Sequence, residues 1–149
     1  MRTESAQYDL LPEEYTSDAE DHRNKANVFV RYLNGEAMHG RIASLGVAIG
    51  RAAVITKDDD ILKVEDGAVI ISKTASPRLA IVLSKANAIA TENGGQASNA
   101  MEFARTYGIP AVAGIPELTE IIRDGDIVRV DGTHGTIEIK ERMTLHSLK

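Results

Sequence analysis

The chain has 149 residues, a formal net charge of −5 and a hydrophobic content of 43%, which suits one globular domain with a modest extension. It contains no cysteine, which excludes disulfides, thiolate catalysis and cysteine-ligated metals. The sequence has no basic stripe for nucleic acid, no apolar run that could span a membrane, and no apolar signal-peptide core at the N-terminus. We therefore expect a cytoplasmic protein that binds neither nucleic acid nor membrane.

The first 35 residues predict an acidic leader followed by a helix. Residues 1–27 carry seven acidic and three basic side chains, and the first fifteen are polar without periodicity, as in a mobile arm. A capping-box spacing and apolar residues at helical intervals then predict a helix over 18–33. The alternative interpretation is that VFVRYL, residues 28–33, forms an edge strand.

The next part of the chain changes to strand patterns separated by turns. The stretch 40–56 is rich in Gly, Ala and β-branched residues and is expected to form loop and strand. Asp58-Asp59-Asp60 predicts a solvated turn and lacks the flanking ligands of a cation site. We predict a buried strand in 67–73 and an amphipathic helix that begins at Ser76-Pro77 and ends near Ala86.

The remaining residues alternate strands and helices and end in a hairpin. We predict a buried strand at 87–91 and a helix over 98–107, with Gly108 as its C-terminal cap. A strand in IPAVAG, a helix from Pro116 through Ile122 and a hairpin formed by IVRVDG and TIEIK follow, and RMTLHSLK is typical of a fraying tail. The sum is a mixed α/β architecture with short parallel and antiparallel strands.

The segment 91–114, TENGGQASNAMEFARTYGIPAVAG, carries the chemistry. A Gly-Gly loop before a helix lets the backbone turn sharply and lets a ligand approach closely. The helix start presents unpaired N–H groups and the positive end of the dipole, which together favour a phosphoryl group or a carboxylate. Ser98 is able to cap the helix or donate to an anion, and Thr91 ends the preceding strand.

This segment resembles the mobile phosphohistidine domain, the swivelling domain of PEP-utilising enzymes such as phosphoenolpyruvate synthase, pyruvate phosphate dikinase and enzyme I of the sugar phosphotransferase system. The resemblance extends over residues 40–140 and implies a swivelling β/β/α domain, which we place at 36–141, with a leader at 1–35 and a tail at 142–149. The residues that match the family signature are Thr91, Glu92, Gly94, Gly95, Ser98, Ala100, Ala104, Arg105, Gly108, Ile109, Pro110, Ala111, Val112 and Gly114.

The resemblance implies a phosphoryl carrier, yet the position of the phosphate-accepting histidine is Asn99. A neutral imidazole nitrogen is a nucleophile at pH 7, whereas an amide nitrogen is delocalised into its carbonyl. Ser98 is no ready substitute without an adjacent base, and the family's regulatory threonine position holds Ala97. By the resemblance, Thr91, Gly94, Gly95, Ser98 and Arg105 are the expected ligand-binding residues.

Other residues are weaker candidates for the acceptor or for phosphate binding. His134 is expected in the hairpin turn, and His39 precedes Gly40 and could lie near the loop. His22 and His146 fall in the leader and the tail. Arg105 is expected to support its helix or pair with a carboxylate, and the resemblance alternatively implies that its guanidinium helps to hold a phosphate.

Three functional hypotheses follow from the sequence. The first is a stand-alone, non-catalytic relative of the swivelling domain that binds a small anion or docks to a partner. The second is a phosphoryl-carrier component of a split PEP synthase-like or dikinase-like phosphotransferase, which requires an unexpected acceptor or a histidine in place of Asn99. The third is a purely structural subunit. No cofactor is expected on this chain, since PEP, ATP and Mg²⁺ would belong to partner domains.

Overall fold

A computed structural model of the chain describes residues 30–94 and 98–142. Eight strands form one sheet in the order β1-β8-β7-β3-β4-β5-β6-β2. Their bounds are β1 Met38–His39, β2 Arg41–Ser44, β3 Val47–Ile55, β4 Val69–Ser72, β5 Ala88–Thr91, β6 Ala111–Ala113, β7 Ile127–Asp131 and β8 Thr136–Glu141.

The long strand β3 joins two differently built halves of the sheet. Its first part, Val47 to Arg51, pairs antiparallel with β7, and β7 pairs antiparallel with β8. Its second part, Ala52 to Ile55, pairs parallel with β4, which starts a parallel run through β5 and β6. The single strand β3 therefore belongs to both the antiparallel and the parallel half of the sheet. Strand β2 lies at the edge of the parallel half, where it pairs antiparallel with β6.

Three short α-helices follow the helical residues 30–33 in the described part of the chain, and two hydrophobic clusters hold the layers together. One cluster packs helices against the parallel half of the sheet, with Ile70 and Ile89 facing Leu83 and Met101. The other lies between the two halves of the sheet and contains Val128. This layering confirms the β/β/α architecture. The helices are α1 Ala80–Leu83, α2 Asn99–Tyr107 and α3 Leu118–Ile121.

Most of the predicted elements are found, several with shorter bounds than predicted. The helix that we predicted from Pro116 through Ile122 is Leu118–Ile121, because Glu117 has a φ of 59°, which an α-helix does not accommodate. The helix that we predicted to run to Ala86 ends at Leu83, because the chain must turn so that the Asn87 N–H bonds the Ala68 carbonyl at 2.7 Å before β5 begins. Residues 30–33 are helical, so the edge-strand alternative is wrong for that part, and the rest of the 18–33 prediction lies outside the described residues.

Asp60 corrects the expectation of a fully solvated acidic turn. Residues Asp58–Lys63 form a 3-10 helix, and the Asp60 carboxylate is buried. It accepts hydrogen bonds from the Thr56 N–H at 2.8 Å, the Thr56 hydroxyl at 3.0 Å and the Lys57 N–H at 3.1 Å. These bonds, the backbone N–H of Thr56 first, lower the pKa of Asp60 to about 2 because they stabilise the ionised form.

Arg142 corrects the prediction that the tail frays from its first residue. Its guanidinium pairs with the buried Asp126 carboxylate at 2.9 Å and also donates to the Ile121 carbonyl. Residues 143–149, including His146, lie outside the described part of the chain. Within that part, every helix is too short or too polar to cross a lipid bilayer.

Candidate functional site

The site lies where β5 ends and α2 begins. Gly94 has a φ of +99°, a backbone conformation that glycine adopts without steric cost. A Cβ at Gly94 would lie 3.6 Å from the Cβ of Ala75, so the loop passes close to the segment that follows β4. Gly95 and Ala97 lie outside the described residues, and the predicted role of Gly95 in ligand binding stays a prediction.

Ser98 caps α2 as the sequence predicted. Its backbone is extended, and its hydroxyl oxygen accepts a hydrogen bond from the Met101 N–H at 3.4 Å. Ala100 and Met101 are fully buried and fix this end of the helix on the sheet. Capping leaves the hydroxyl proton of Ser98 available to an external acceptor.

Asn99 is the first residue of α2 and is exposed. Its carboxamide therefore stands beside the unpaired N–H groups and the positive dipole end of a nine-residue helix. A carboxamide donates and accepts hydrogen bonds but offers no nucleophilic lone pair comparable to that of imidazole. The amide therefore supplies no covalent acceptor, and anion binding at this position stays a prediction.

One acidic residue and the lack of a nearby cation in the sequence limit how strongly this helix start attracts an anion. Glu102 lies in the first turn of α2, where its charge already complements the dipole. Between Thr91 and Arg105 the sequence contains no lysine or arginine. The site thus offers hydrogen-bond donors and a dipole without a cationic side chain of its own.

Thr91 ends β5 and is completely buried. Its carbonyl accepts a hydrogen bond from the Ile115 N–H at 3.0 Å. Its hydroxyl has no hydrogen-bond partner among the residues that the structure describes, a state that costs free energy in a protein interior. Thr91 is thus the buried last residue before the loop, and its direct contact with a ligand stays a prediction.

Glu92 has a role that the sequence did not reveal. Its carboxylate accepts hydrogen bonds from the Thr119 N–H at 2.8 Å and from the Thr119 hydroxyl. This pair ties the loop between β5 and α2, which we name the signature loop, to α3, where Thr119 lies 27 residues farther along the chain. The acidic residue of the signature was visible in the sequence, but its partner depends on tertiary structure.

Arg105 is not at the start of α2. It lies six residues after Asn99, about 9 Å along the helix axis, and its guanidinium donates to the Ala43 carbonyl of β2 at 2.9 Å. This contact fastens α2 to the edge strand, in line with the expected supporting role. The predicted contact of Arg105 with phosphate would require the guanidinium to leave that carbonyl.

The two described histidines have separate positions. His39 is exposed on β1 and pairs in register with Thr136. His134 lies in the β7–β8 turn, as predicted, with Nδ1 2.9 Å from an Asp131 carboxylate oxygen. That hydrogen bond is the first cause of a lowered pKa of Asp131. His22 lies outside the described residues, and within them no group of acidic or histidine side chains could hold a metal ion.

Comparison with known families identifies the segment that contains this site. The family described as PEP-utilising enzyme, mobile domain, matches residues 64–135. The chain is similar to a probable phosphoenolpyruvate synthase of Pyrococcus horikoshii, with 39% identity over 100 residues that cover 67% of this chain and 12% of the relative. It is also similar to an uncharacterized phosphotransferase of Bacillus subtilis, with 40% identity over 103 residues that cover 69% of this chain and 12% of the relative.

The chain therefore spans about an eighth of the length of these relatives. Among solved structures, the crystal structure of Thermococcus kodakaraensis aconitase X in its holo-form superimposes with a TM-score of 0.57 at 21% identity. That match covers 72% of this chain and 100% of the other. At this level of identity the likeness shows a common fold.

Proposed function

Because residues 64–135 belong to the mobile-domain family of PEP-utilising enzymes, we propose that this chain keeps the fold and the anion-accepting loop of a phosphoryl-carrier module but carries no phosphoryl group itself. It acts by binding a small anion at the start of α2 or by docking to a partner component. PEP, ATP and Mg²⁺ belong to such partner components in this proposal.

One observation carries the proposal: the exposed first residue of α2 is Asn99. The helix cap at Ser98 is intact, and Gly94 has the conformation that a tight loop requires. The scaffold of a phosphate-transfer site is thus retained while its acceptor is an amide. The histidine in the β7–β8 turn is bound to Asp131, which supports a structural role for it.

The second candidate is a working phosphoryl carrier in a split PEP synthase-like or dikinase-like phosphotransferase. The similarity to phosphoenolpyruvate synthase and phosphotransferase sequences favours it. It requires an acceptor other than Asn99, and Ser98 is the nearest hydroxyl. Neither described histidine lies within 91–99, so a carrier role needs an activated serine or a residue outside the described part of the chain.

Phosphoryl transfer in trans separates the two candidates. A phosphoenolpyruvate synthase relative from which the mobile domain has been deleted is incubated with Mg²⁺ and either PEP or ATP, together with this chain or its Asn99→His variant. The deleted mobile domain, added back as a separate piece, is the positive control. Intact mass and ³¹P NMR at alkaline pH report the adduct, because phosphohistidine is labile in acid.

We expect no adduct on the unaltered chain and an acid-labile adduct on the Asn99→His variant. An adduct on the unaltered chain would contradict the proposal and favour the carrier hypothesis. A purely structural subunit is distinguished by amide NMR: a scaffold leaves the Gly94 and Ser98 amides unmoved by phosphate or PEP, whereas an anion site shifts them.

A further inference from the structure

A small cavity opens at the carboxyl ends of β3 and β4, beside the signature loop and lined by different residues. Its volume is about 110 Å³, and its polar walls come from the segments that follow the two parallel strands. Ligands of open α/β sheets bind outside the carboxyl ends of parallel strands. The volume is well below the roughly 300–1,000 Å³ of pockets for drug-sized ligands, so the cavity suits one small group.

The cavity is positively charged in a chain whose net charge is −5. Lys57, Lys73 and Arg78 line it, and Asp58 is the one carboxylate among the lining residues. Asp58 is paired with Arg78 at 3.1 Å, with both side chains mostly exposed. Within the described part of the chain, Lys57 and Lys73 have no ion-pair partner, so both ammonium groups are available to an anion.

Hydroxyl groups complete the set of donors. The Ser76 hydroxyl oxygen accepts from the Arg78 N–H at 3.3 Å, which leaves its proton free to donate, and Thr74 also lines the cavity. The Ser72 hydroxyl, in contrast, already donates a hydrogen bond to the Thr74 carbonyl at 2.9 Å. Lysine and hydroxyl donors around a small cavity fit the oxygens of a phosphate dianion.

The cavity is built onto the signature loop. The Glu92 N–H bonds the Ser72 carbonyl at 3.0 Å, and the Asn93 N–H bonds the Lys73 carbonyl at 2.7 Å. One face of the 72–76 segment therefore supports the loop, and the other lines the cavity. The sequence around the start of α2, residues 91–104, contains no lysine or arginine, whereas three cationic side chains line the neighbouring cavity.

We propose that this cavity binds the phosphate group of a small phosphorylated compound through Lys57, Lys73 and Arg78. The site does not depend on Asn99 or on a covalent acceptor, and it goes beyond the proposed function. A compound held there lies next to the signature loop, which gives the module a cationic binding site independent of phosphoryl transfer.

The test is a ¹H–¹⁵N NMR titration of the whole chain with inorganic phosphate, with sodium chloride at equal ionic strength and with acetate. We expect saturable shifts of the Lys57, Lys73 and Thr74 amides with phosphate alone. The Lys57→Gln/Lys73→Gln double variant should bind phosphate about tenfold more weakly, because two partly exposed charge contacts are lost. The matched control, Lys85→Gln/Lys140→Gln, removes two exposed charges outside the cavity and should bind as the unaltered chain does.

Three results would overturn the site: equal affinity of the unaltered chain and the Lys57→Gln/Lys73→Gln variant, equal shifts with chloride or acetate, or shifts confined to Gly94 and Ser98. Unmoved amides of the core residues Val128 and Ile137 show that each variant is folded. The Gly94 and Ser98 amides report on the proposed function separately, since the lysine substitutions leave the start of α2 intact.

Discussion

At the residue scale, the proposed function depends on a single side chain at a helix start. Asn99 occupies the position where the helix dipole acts most strongly, and Ser98 beside it holds the first turn in place. An imidazole at this position would be kept neutral by the dipole and would therefore be a nucleophile. The amide cannot use that environment for covalent chemistry, and what remains is hydrogen bonding.

The dipole at the start of α2 makes a prediction about an introduced histidine. In Asn99→His the imidazole pKa should lie below that in Thr106→His, because residue 106 is in the last turn, where the negative dipole end stabilises the imidazolium. A dipole effect of about 0.3–1 kcal/mol at each end corresponds to a difference of roughly 0.4–1.5 pKa units between the two imidazoles. NMR titration of the ring protons measures both, and equal or reversed pKa values would contradict the dipole argument.

Asp60 provides a pH-dependent prediction about stability. Its pKa is lowered to about 2 in the folded state and is normal in the unfolded chain, so its stabilisation is present above about pH 4 and is lost as the pH falls toward 2. Asp60→Asn should lower Tm at pH 7, and the difference from the unaltered chain should narrow between pH 4 and pH 2.

Asp59→Asn is the control for this prediction. The Asp59 carboxylate is next to Asp60 in sequence but is exposed, and it accepts none of the three hydrogen bonds from Thr56 and Lys57. Thermal unfolding monitored by circular dichroism gives Tm across the pH range. A Tm difference for Asp60→Asn that stays constant from pH 7 to pH 2 would show that the carboxylate contributes nothing through its charge.

At the element scale, α2 is defined by local signals at both ends. Ser98 caps its start and Gly108, with a φ of 69°, ends it, and both were predictable from the sequence because caps are chosen by neighbouring residues. The β7–β8 hairpin was also predictable, because a local turn separates two strand patterns in the sequence. Arg105 shows the limit, since its partner Ala43 is 62 residues away and no local pattern encodes that contact.

The same limit applies to the strand order and to the site. That β3 pairs with both β7 and β4 follows from packing between layers and from no feature of residues 47–55 alone. The positions of Ser98 and Asn99 on α2 could be predicted, whereas the burial of Thr91 and the tie from Glu92 to Thr119 depend on how β5 and α3 meet.

Gly108 gives a prediction about the end of α2. A Cβ at this position would have no atom within 4 Å, so replacement costs only backbone strain in the left-handed region. Gly108→Ala should lower the free energy of unfolding by about 1 kcal/mol, and Gly108→Asn by about half as much, because asparagine tolerates this conformation. Urea unfolding measures both, and a larger loss with asparagine than with alanine would refute the explanation.

At the scale of the whole molecule, two hydrophobic clusters share one sheet. A buried ion pair fixes the end of the closing β7–β8 hairpin to the rest of the fold. Asp126 is 1% exposed and accepts hydrogen bonds from the Arg123 N–H at 2.9 Å and from the Arg142 guanidinium. Arg142 follows β8 and also contacts the Ile121 carbonyl. The closing hairpin is thereby fixed to the chain that leaves α3.

This pair predicts a large effect for a residue near the end of the described chain. Arg142→Ala should lower the free energy of unfolding by about 2–3 kcal/mol, because it leaves the buried Asp126 carboxylate without its cation. Lys140→Ala, on exposed β8 surface, is the control and should change stability by less than about 0.5 kcal/mol. Similar losses for the two variants in urea unfolding would mean that Arg142 does not anchor the hairpin.

The most direct test of the central claim is the phosphorylation state of residues 91–99 in the protein recovered from its native cells. Extraction at alkaline pH preserves acid-labile phosphoryl groups, and peptide mass spectrometry locates any of them. Because the amide of Asn99 cannot accept a phosphoryl group, we predict that this segment is recovered unmodified under conditions in which phosphohistidine is retained in the same extract. A phosphoryl group on any side chain between Thr91 and Asn99 would contradict the account.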